Sequence, residues 1–96
     1  MNLILTSGGT GFSQRDVTPE AVEPLIHRKA ESLVNFMQTE SLKFTPLACL
    51  SRSVIGVSIN ESGDHVLIVT LPGKPKAVHE NMSILIRNRI LMHTLA

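Results

Sequence analysis

The side chains that could do chemistry lie mostly in the first twenty residues of this 96-residue chain. An apolar run at residues 3–5 predicts a buried strand, and a loop with few large side chains follows it. The loop residues are Ser7, Gly8, Gly9, Thr10 and Gly11. Glycine lets a backbone approach a phosphate closely, and unpaired backbone N–H groups can donate to its oxygens. The segment therefore predicts an anion-binding site, although a structural turn from strand to helix would need the same glycines.

A helix start follows the loop. Thr18 can accept hydrogen bonds from the free N–H groups of a first helical turn, and Pro19 suits the first helical position. We predict a helix over residues 19–28, shortened or kinked by Pro24. Asp16 lies between the loop and this helix, so its carboxylate is a candidate functional group. Compensation of the positive end of the helix is the alternative interpretation of Asp16.

Apolar spacing predicts the remaining elements. A helix over 31–41 is predicted by an i, i+3, i+4, i+7 pattern of Ala30, Leu33, Val34 and Met37. We predict strands over 51–58 and 65–71, joined by a turn at 60–63, and a helix from residue 76. The apolar row of that last helix is Val78, Met82, Ile86 and Ile90. This order of elements is typical of part of a layered α/β fold.

The composition narrows the class of protein. The net charge is +1 with scattered charges, which argues against nucleic-acid binding by a basic face. No apolar run reaches the roughly 18 residues of a membrane span. Cys49 is the only cysteine, which excludes an internal disulfide and favours a reducing, cytoplasmic location, and we predict that it is a buried small apolar residue. The four histidines show no metal-ligand spacing.

Three segments in collinear order carry a family resemblance. The segment TSGGTGFSQRDVTPEA, at residues 6–21, resembles the signature of the molybdopterin adenylyltransferases, the family that includes the G domain of gephyrin. TPLACLSRS at residues 45–53 and LPGKPKAV at residues 71–78 are similar to two further family segments. The match covers residues 2–86. The resemblance implies an α/β fold with three α/β/α layers and a mostly parallel sheet.

The resemblance also implies an activity. The family transfers AMP from ATP to molybdopterin and releases pyrophosphate, so ATP and molybdopterin are the implied substrates and Mg²⁺ the implied cofactor. Mg²⁺ neutralises charge during phosphate transfer, and one or two carboxylates hold it together with the phosphates. The matching position gives Asp16 the catalytic and metal-binding role, with Glu20 as a further binding residue. The glycine-rich loop would hold the phosphates of ATP.

The other two segments imply a substrate pocket. Ser51, Arg52 and Ser53 supply hydroxyls and a guanidinium that can meet the anionic and hydrogen-bonding edges of a pterin. Pro72 and Gly73 follow a predicted strand, at the end where ligands bind in α/β sheets. From the residues alone, an exposed arginine at a strand start and an ordinary loop are equally good interpretations.

The chain departs from the family pattern at its start. Family members carry further βα units ahead of the glycine-rich loop, with a second functional aspartate after a proline, and this sequence has no Pro-Asp. We therefore predict that residues 1–96 are a single, N-terminally truncated domain of the molybdenum-cofactor-biosynthesis fold, poorly folded or self-associated and not enzymatically competent alone. The resemblance implies a homotrimer for the full-length family. A non-catalytic interaction or scaffold module and an inactive fragment are the alternatives.

Overall fold

The computed structural model describes residues 1–96 and contains one four-stranded sheet. The strands are β1 (Asn2–Ser7), β2 (Arg28–Lys29), β3 (Ile55–Ile59) and β4 (His65–Leu71), in the spatial order β1-β4-β3-β2. β1 pairs with β4 in parallel, whereas β3 pairs antiparallel with both β4 and β2. The predicted α/β class is confirmed, and the sheet is mixed rather than mostly parallel.

A tight turn makes the β3–β4 pair antiparallel. Asp64 N donates to Asn60 Oδ1 at 2.9 Å, and Gly63 N donates to Asn60 O at 3.0 Å. Such a short connection can join only antiparallel neighbours, because a parallel pair needs a crossover. β3 begins at Ile55 and not at residue 51 as predicted, because the backbone N–H of Arg52 is bonded outside the sheet, to Thr10 O at 2.8 Å.

Four helices accompany the sheet. They are α1 (Thr18–Val22), α2 (Glu31–Leu42), α3 (Pro75–Arg87) and α4 (Ile90–Leu95), with 3₁₀ turns at Glu23–Leu25 and Pro46–Leu50. The helices predicted over 31–41 and from residue 76 are confirmed as α2 and α3, within one residue at each predicted end. None of the four is both long enough and apolar enough to cross a membrane.

The helix predicted over residues 19–28 is shorter than expected. α1 ends at Val22, and Pro24 lies in the following 3₁₀ turn, where its missing N–H costs no α-helical hydrogen bond. His27 lies outside the helix and pairs with β3. Its backbone N–H donates to Val57 O at 2.8 Å, and its Nδ1 accepts from Ile59 N at 3.0 Å. Pairing with the edge of β3 therefore replaces the second half of the predicted helix.

The core lies between one face of the sheet and helices α2 and α3. Its buried side chains are Met37, Ile55, Leu67, Val69, Leu71, Ile84 and Leu85. Because side chains alternate along a strand, Ile68 and Thr70 lie on the opposite face of β4, and they are buried as well. The segment after α1 covers that face, since a Cβ on Gly56 would collide with Ile26 Cγ2.

The apolar row predicted for the last helix is only partly confirmed. Val78, Met82 and Ile90 pack against the core, but Ile86 is 62% exposed. An i, i+4 row drifts around a helix by about 40° per step, so its third member, two steps from the first, turns toward solvent. Ile90 returns to the core because Arg89 adopts a left-handed conformation, with φ of 56°, between α3 and α4.

β1 is an edge strand with apolar side chains on both faces. Only β4 pairs with it, and Ile4 and Leu5 are 48% and 41% exposed on opposite faces. β1 carries no charged residue. An uncharged apolar edge with free backbone groups favours pairing with another strand.

We expect Ile4→Lys to reduce self-association of the chain, because a lysine on an edge strand opposes pairing with another edge. Ile86→Lys is the matched control, since it places the same charge at an exposed apolar position on α3. Sedimentation velocity over a concentration series measures the effect. Equal association of both variants and the unsubstituted chain would show that the β1 edge is not the contact.

Candidate functional site

The parallel register of β1 and β4 brings two loops together. Ser7 is level with Leu71, so the glycine-rich loop and the loop at residues 72–73 leave the sheet side by side. Gly8 N donates to Leu71 O at 2.9 Å, and Ser7 Oγ donates to Pro72 O at 3.1 Å. A Cβ on Gly73 would lie 3.2 Å from Gly8 Cα. The two loop backbones are therefore in close contact, and glycine at both positions permits it.

Thr18 fastens the loop to α1. Gly8 and Gly9 have φ of 93° and 72°, which turns their carbonyls toward the helix. Thr18 Oγ donates to Gly8 O at 2.8 Å, and Thr18 N donates to Gly9 O at 3.0 Å. The prediction that Thr18 caps the helix is wrong. α1 has no side-chain cap, because the Thr18 hydroxyl donates its hydrogen bond to Gly8 O in the loop.

Arg52 holds the other end of the loop. Its Nε donates to Gly11 O at 2.8 Å, and its Nη2 donates to Asp16 O at 2.7 Å. Its backbone N–H donates to Thr10 O at 2.8 Å, and its guanidinium lies 5.4 Å from the ring centre of Phe12. One residue from the second motif thus satisfies three carbonyls of the first motif.

Glu20 completes this arrangement. Its carboxylate accepts from Arg52 Nη1 at 2.6 Å and from Nη2 at 3.3 Å. The hydrogen bond from Arg52 lowers the pKa of the Glu20 carboxyl below its ordinary value, against the opposing effect of burial. Four of the five guanidinium N–H groups are therefore taken by the protein. Direct contact of Arg52 and Glu20 with a substrate stays a prediction, and their observed contacts position the loop.

A cleft of about 800 Å³ opens beside the loop. The predicted site residues that line it are Gly9, Thr10, Gly11, Asp16, Ser51, Ser53, Pro72 and Gly73. Ser7, Gly8, Glu20 and Arg52 do not line it and support the loop from outside. The cleft therefore unites residues from all three motifs.

Three successive backbone N–H groups at this cleft are free. Those of Gly9, Thr10 and Gly11 make no hydrogen bond within the protein, whereas the N–H of Gly8 is paired with Leu71. Asp16 stands next to them, since a Cβ on Gly11 would lie 2.7 Å from Asp16 Oδ2. Consecutive unpaired amides form an anion-binding concavity. This arrangement can hold a phosphate group beside a carboxylate.

The cleft also contains charged residues that the sequence prediction missed. Lys74 and Lys76 line it at the start of α3, and Glu80 and Asn81 follow one helical turn later. Both lysines lie in the third motif. Glu80 and Asn81 lie four residues after positions 76 and 77, so helical spacing would have predicted that they share a face with the motif. The lysines add positive charge at the loop end of the cleft.

A further part of the lining comes from α2, the 3₁₀ turn Pro46–Leu50 and the segment between them, and it is partly apolar. Its apolar members are Met37, Phe44, Leu47, Ala48 and Leu50. The prediction that Cys49 is buried is wrong, because this turn runs along the surface and leaves Cys49 exposed. Leu47 and Leu50 are 66% and 53% exposed for the same reason. The cleft thus joins a polar loop to a surface suited to an apolar ring.

The sequence comparison gives the family. Residues 1–92 match the profile described as "probable molybdopterin binding domain", and the chain therefore belongs to this family of molybdenum cofactor biosynthesis domains. Gephyrin of Dictyostelium discoideum is 48% identical over 84 residues, which are 88% of this chain and 11% of that protein. The molybdopterin adenylyltransferase of Helicobacter pylori strain 26695 is 43% identical over 79 residues, 82% of this chain and 42% of that protein.

Solved structures agree with this family. MogA matches with a TM-score of 0.84 and 34% identity, covering 99% of this chain and 58% of that one. The molybdopterin biosynthesis enzyme MoaB from Thermus thermophilus matches with a TM-score of 0.80 and 42% identity. This match covers 97% of this chain and 54% of the MoaB chain. The resemblance found in the sequence is confirmed. The chain spans 42% of the Helicobacter relative and little more than half of the solved ones.

We expect Gly9→Ala to lower Tm more than Gly63→Ala. Both glycines have positive φ, of 72° and 84°, but a Cβ at Gly9 collides with Thr18 Oγ while a Cβ at Gly63 meets nothing within 4 Å. If the lost Thr18–Gly8 hydrogen bond contributes about 1 kcal/mol, the extra loss of Tm is about 4–8 °C. Thermal denaturation measures it, and equal losses would show that Thr18 does not hold the loop.

Glu20→Gln should destabilise the fold in a pH-dependent way. The lowered pKa of Glu20 means that its ion pair stabilises the fold above the ordinary glutamate pKa of about 4.3. This contribution disappears as the pH falls through the lower folded-state value. Tm of the variant should therefore be below that of the unsubstituted chain at pH 7 and converge with it as the pH falls below the lowered pKa of Glu20. Glu61→Gln is the control, because Glu61 lies in the β3–β4 turn and belongs to no ion pair. A difference in Tm between the Glu20 variant and the unsubstituted chain that persists at low pH would contradict the stabilising role of the Glu20–Arg52 ion pair.

Proposed function

We propose that this chain carries the phosphate- and ring-binding part of a molybdopterin adenylyltransferase, which transfers AMP from ATP to molybdopterin and releases pyrophosphate. The observation that carries the proposal is the single cleft lined by residues of all three motifs, with three free loop amides beside Asp16. The adenylyltransferase of Helicobacter pylori, which shares 43% identity with the chain, supports the reaction type.

The loop residues act on the phosphates. The N–H groups of Gly9, Thr10 and Gly11 donate to phosphate oxygens, and Lys74 and Lys76 attract the polyanion to the cleft. When the phosphate of molybdopterin attacks the α-phosphorus of ATP, negative charge accumulates on the oxygens of the transferred group. Amides already fixed by Thr18 and Arg52 stabilise this charge without reorganising.

Asp16 fits the role of the magnesium-binding carboxylate. Its Oδ2 accepts from Ser13 N at 3.0 Å, and its Oδ1 makes no hydrogen bond within the protein. No group of three or more His, Cys, Asp or Glu side chains could hold a metal ion together. A single carboxylate beside substrate phosphates is a donor set that Mg²⁺ accepts, and the ion when bound supplies neutralising charge for the transfer.

A second candidate is a non-catalytic interaction module. The uncharged, exposed edge of β1 favours it, because this edge can pair with a strand of another chain. We further infer that residues 1–96 form one partial domain. We infer a cytoplasmic location, because the single cysteine suits a reducing compartment. The family resemblance implies that the full-length protein is a trimer.

Asp16→Asn should remove the gain in ATP affinity that Mg²⁺ provides. The amide keeps the hydrogen bond from Ser13 but loses the charge that binds the ion, so we expect at least about a tenfold loss, or about 1.4 kcal/mol. Isothermal titration with ATP, with and without Mg²⁺, measures it, and Glu61→Gln is the control for a lost surface carboxylate. An unchanged magnesium dependence would remove Asp16 from the site, and no ATP binding by the unsubstituted chain would contradict the proposed function.

A further inference from the structure

Two polar side chains lie almost fully buried on the helices that flank the cleft. Asn81 of α3 is 7% exposed and Ser41 of α2 is 9% exposed, and both line the cleft. The two helices pack against each other. Neither residue belongs to the three motifs that define the phosphate site.

Both side chains keep hydrogen-bonding capacity that the protein does not use. Asn81 Nδ2 donates to Ala77 O at 2.8 Å, which orients the carboxamide and leaves Oδ1 and one N–H without a partner. The hydroxyl of Ser41 makes no hydrogen bond, whereas the exposed hydroxyl of Thr39 on the same helix donates to Asn35 O at 2.9 Å.

Such groups are costly to bury unless something pairs with them. An unsatisfied polar group inside a protein costs free energy, and native structures pair the large majority of them. Neither Asn81 Oδ1 nor Ser41 Oγ is fully enclosed, so each can reach water or a bound molecule through the cleft that both residues line. A molecule bound in the cleft can therefore supply the missing hydrogen bonds.

The surroundings define the chemistry of that molecule. Phe44 and Leu47, which are 50% and 66% exposed, give the same cleft apolar surface that suits a flat ring, and the free amides of the loop suit a phosphate. Asn81 and Ser41 together offer acceptors and donors. A fused heteroaromatic ring with an amino group beside a ring nitrogen, as in adenine and pterins, presents the complementary edge.

We propose that Asn81, together with Ser41, selects the ring of the phosphate-bearing substrate by hydrogen bonding to its polar edge. This inference rests on the proposed function and adds the residues that determine ring specificity. Asn81 is a specificity residue for binding, and the bond-making groups lie at the loop.

Isothermal titration of the 96-residue chain with three probes tests the inference. The probes are Mg-ATP, Mg-tripolyphosphate and 6-hydroxymethylpterin phosphate. Asn81→Ala should weaken the probe whose ring it contacts about tenfold, which corresponds to one hydrogen bond, and leave tripolyphosphate unchanged. A loss for ATP assigns the adenine ring, and a loss for the pterin phosphate assigns the pterin ring.

Asn88→Ala is the matched control, because Asn88 donates the same i−4 bond on α3, to Ile84 O at 2.8 Å, but does not line the cleft. If the Asn81→Ala variant does not melt cooperatively, the same titrations are made with the Ser41→Ala variant, because this substitution removes only one oxygen atom. Unchanged affinity for both ring-bearing probes, or an equal loss for tripolyphosphate, would overturn the inference and leave the proposed function standing. Failure of the unsubstituted chain to bind any probe would overturn both.

Discussion

The parallel pairing of β1 with β4 is the constraint on which the site depends. Parallel strands end at the same edge of a sheet, so the level positions of Ser7 and Leu71 force two distant loops into contact. Gly8 and Gly73 allow this contact because neither carries a side chain. A shift of β1 by one residue along β4 would turn the β1 side chains to the opposite face of the sheet and move Ser7 away from Leu71.

Arg52 also joins segments that are distant in the sequence, because it bonds to the segment at residues 10–16. Arg52 donates hydrogen bonds to the carbonyls of Thr10 and Gly11 in the glycine-rich loop, while Thr18 donates to the carbonyls of Gly8 and Gly9. With the carbonyls engaged on both sides, the amides of Gly9, Thr10 and Gly11 remain free at the cleft. The loop is thus shaped before any substrate arrives, and phosphate binding need not pay for ordering it.

Local patterns predicted α2, β4 and the start of α3, but they did not predict the end of α1, the start of β3 or the contacts between distant segments. The apolar spacing of α2 and the apolar run of β4 suffice to place both elements, since burial of one face determines them. Asp16, Gly9 and Gly11 line the cleft whereas Gly8 does not, and the chemical roles of all four stay predictions. The partners of Arg52, the exposure of Cys49 and the cleft position of Asn81 depend on how distant segments pack, which residue spacing alone does not encode.

We propose that the free amides of the glycine-rich loop hold phosphate groups in the cleft. A titration of the ¹⁵N-labelled chain with Mg-ATP, followed by backbone amide NMR shifts, tests it most directly. We expect saturable shifts of the Gly9, Thr10 and Gly11 amides, with Gly63 in the distant β3–β4 turn unaffected. Unmoved loop amides at an ATP concentration that saturates binding would contradict it.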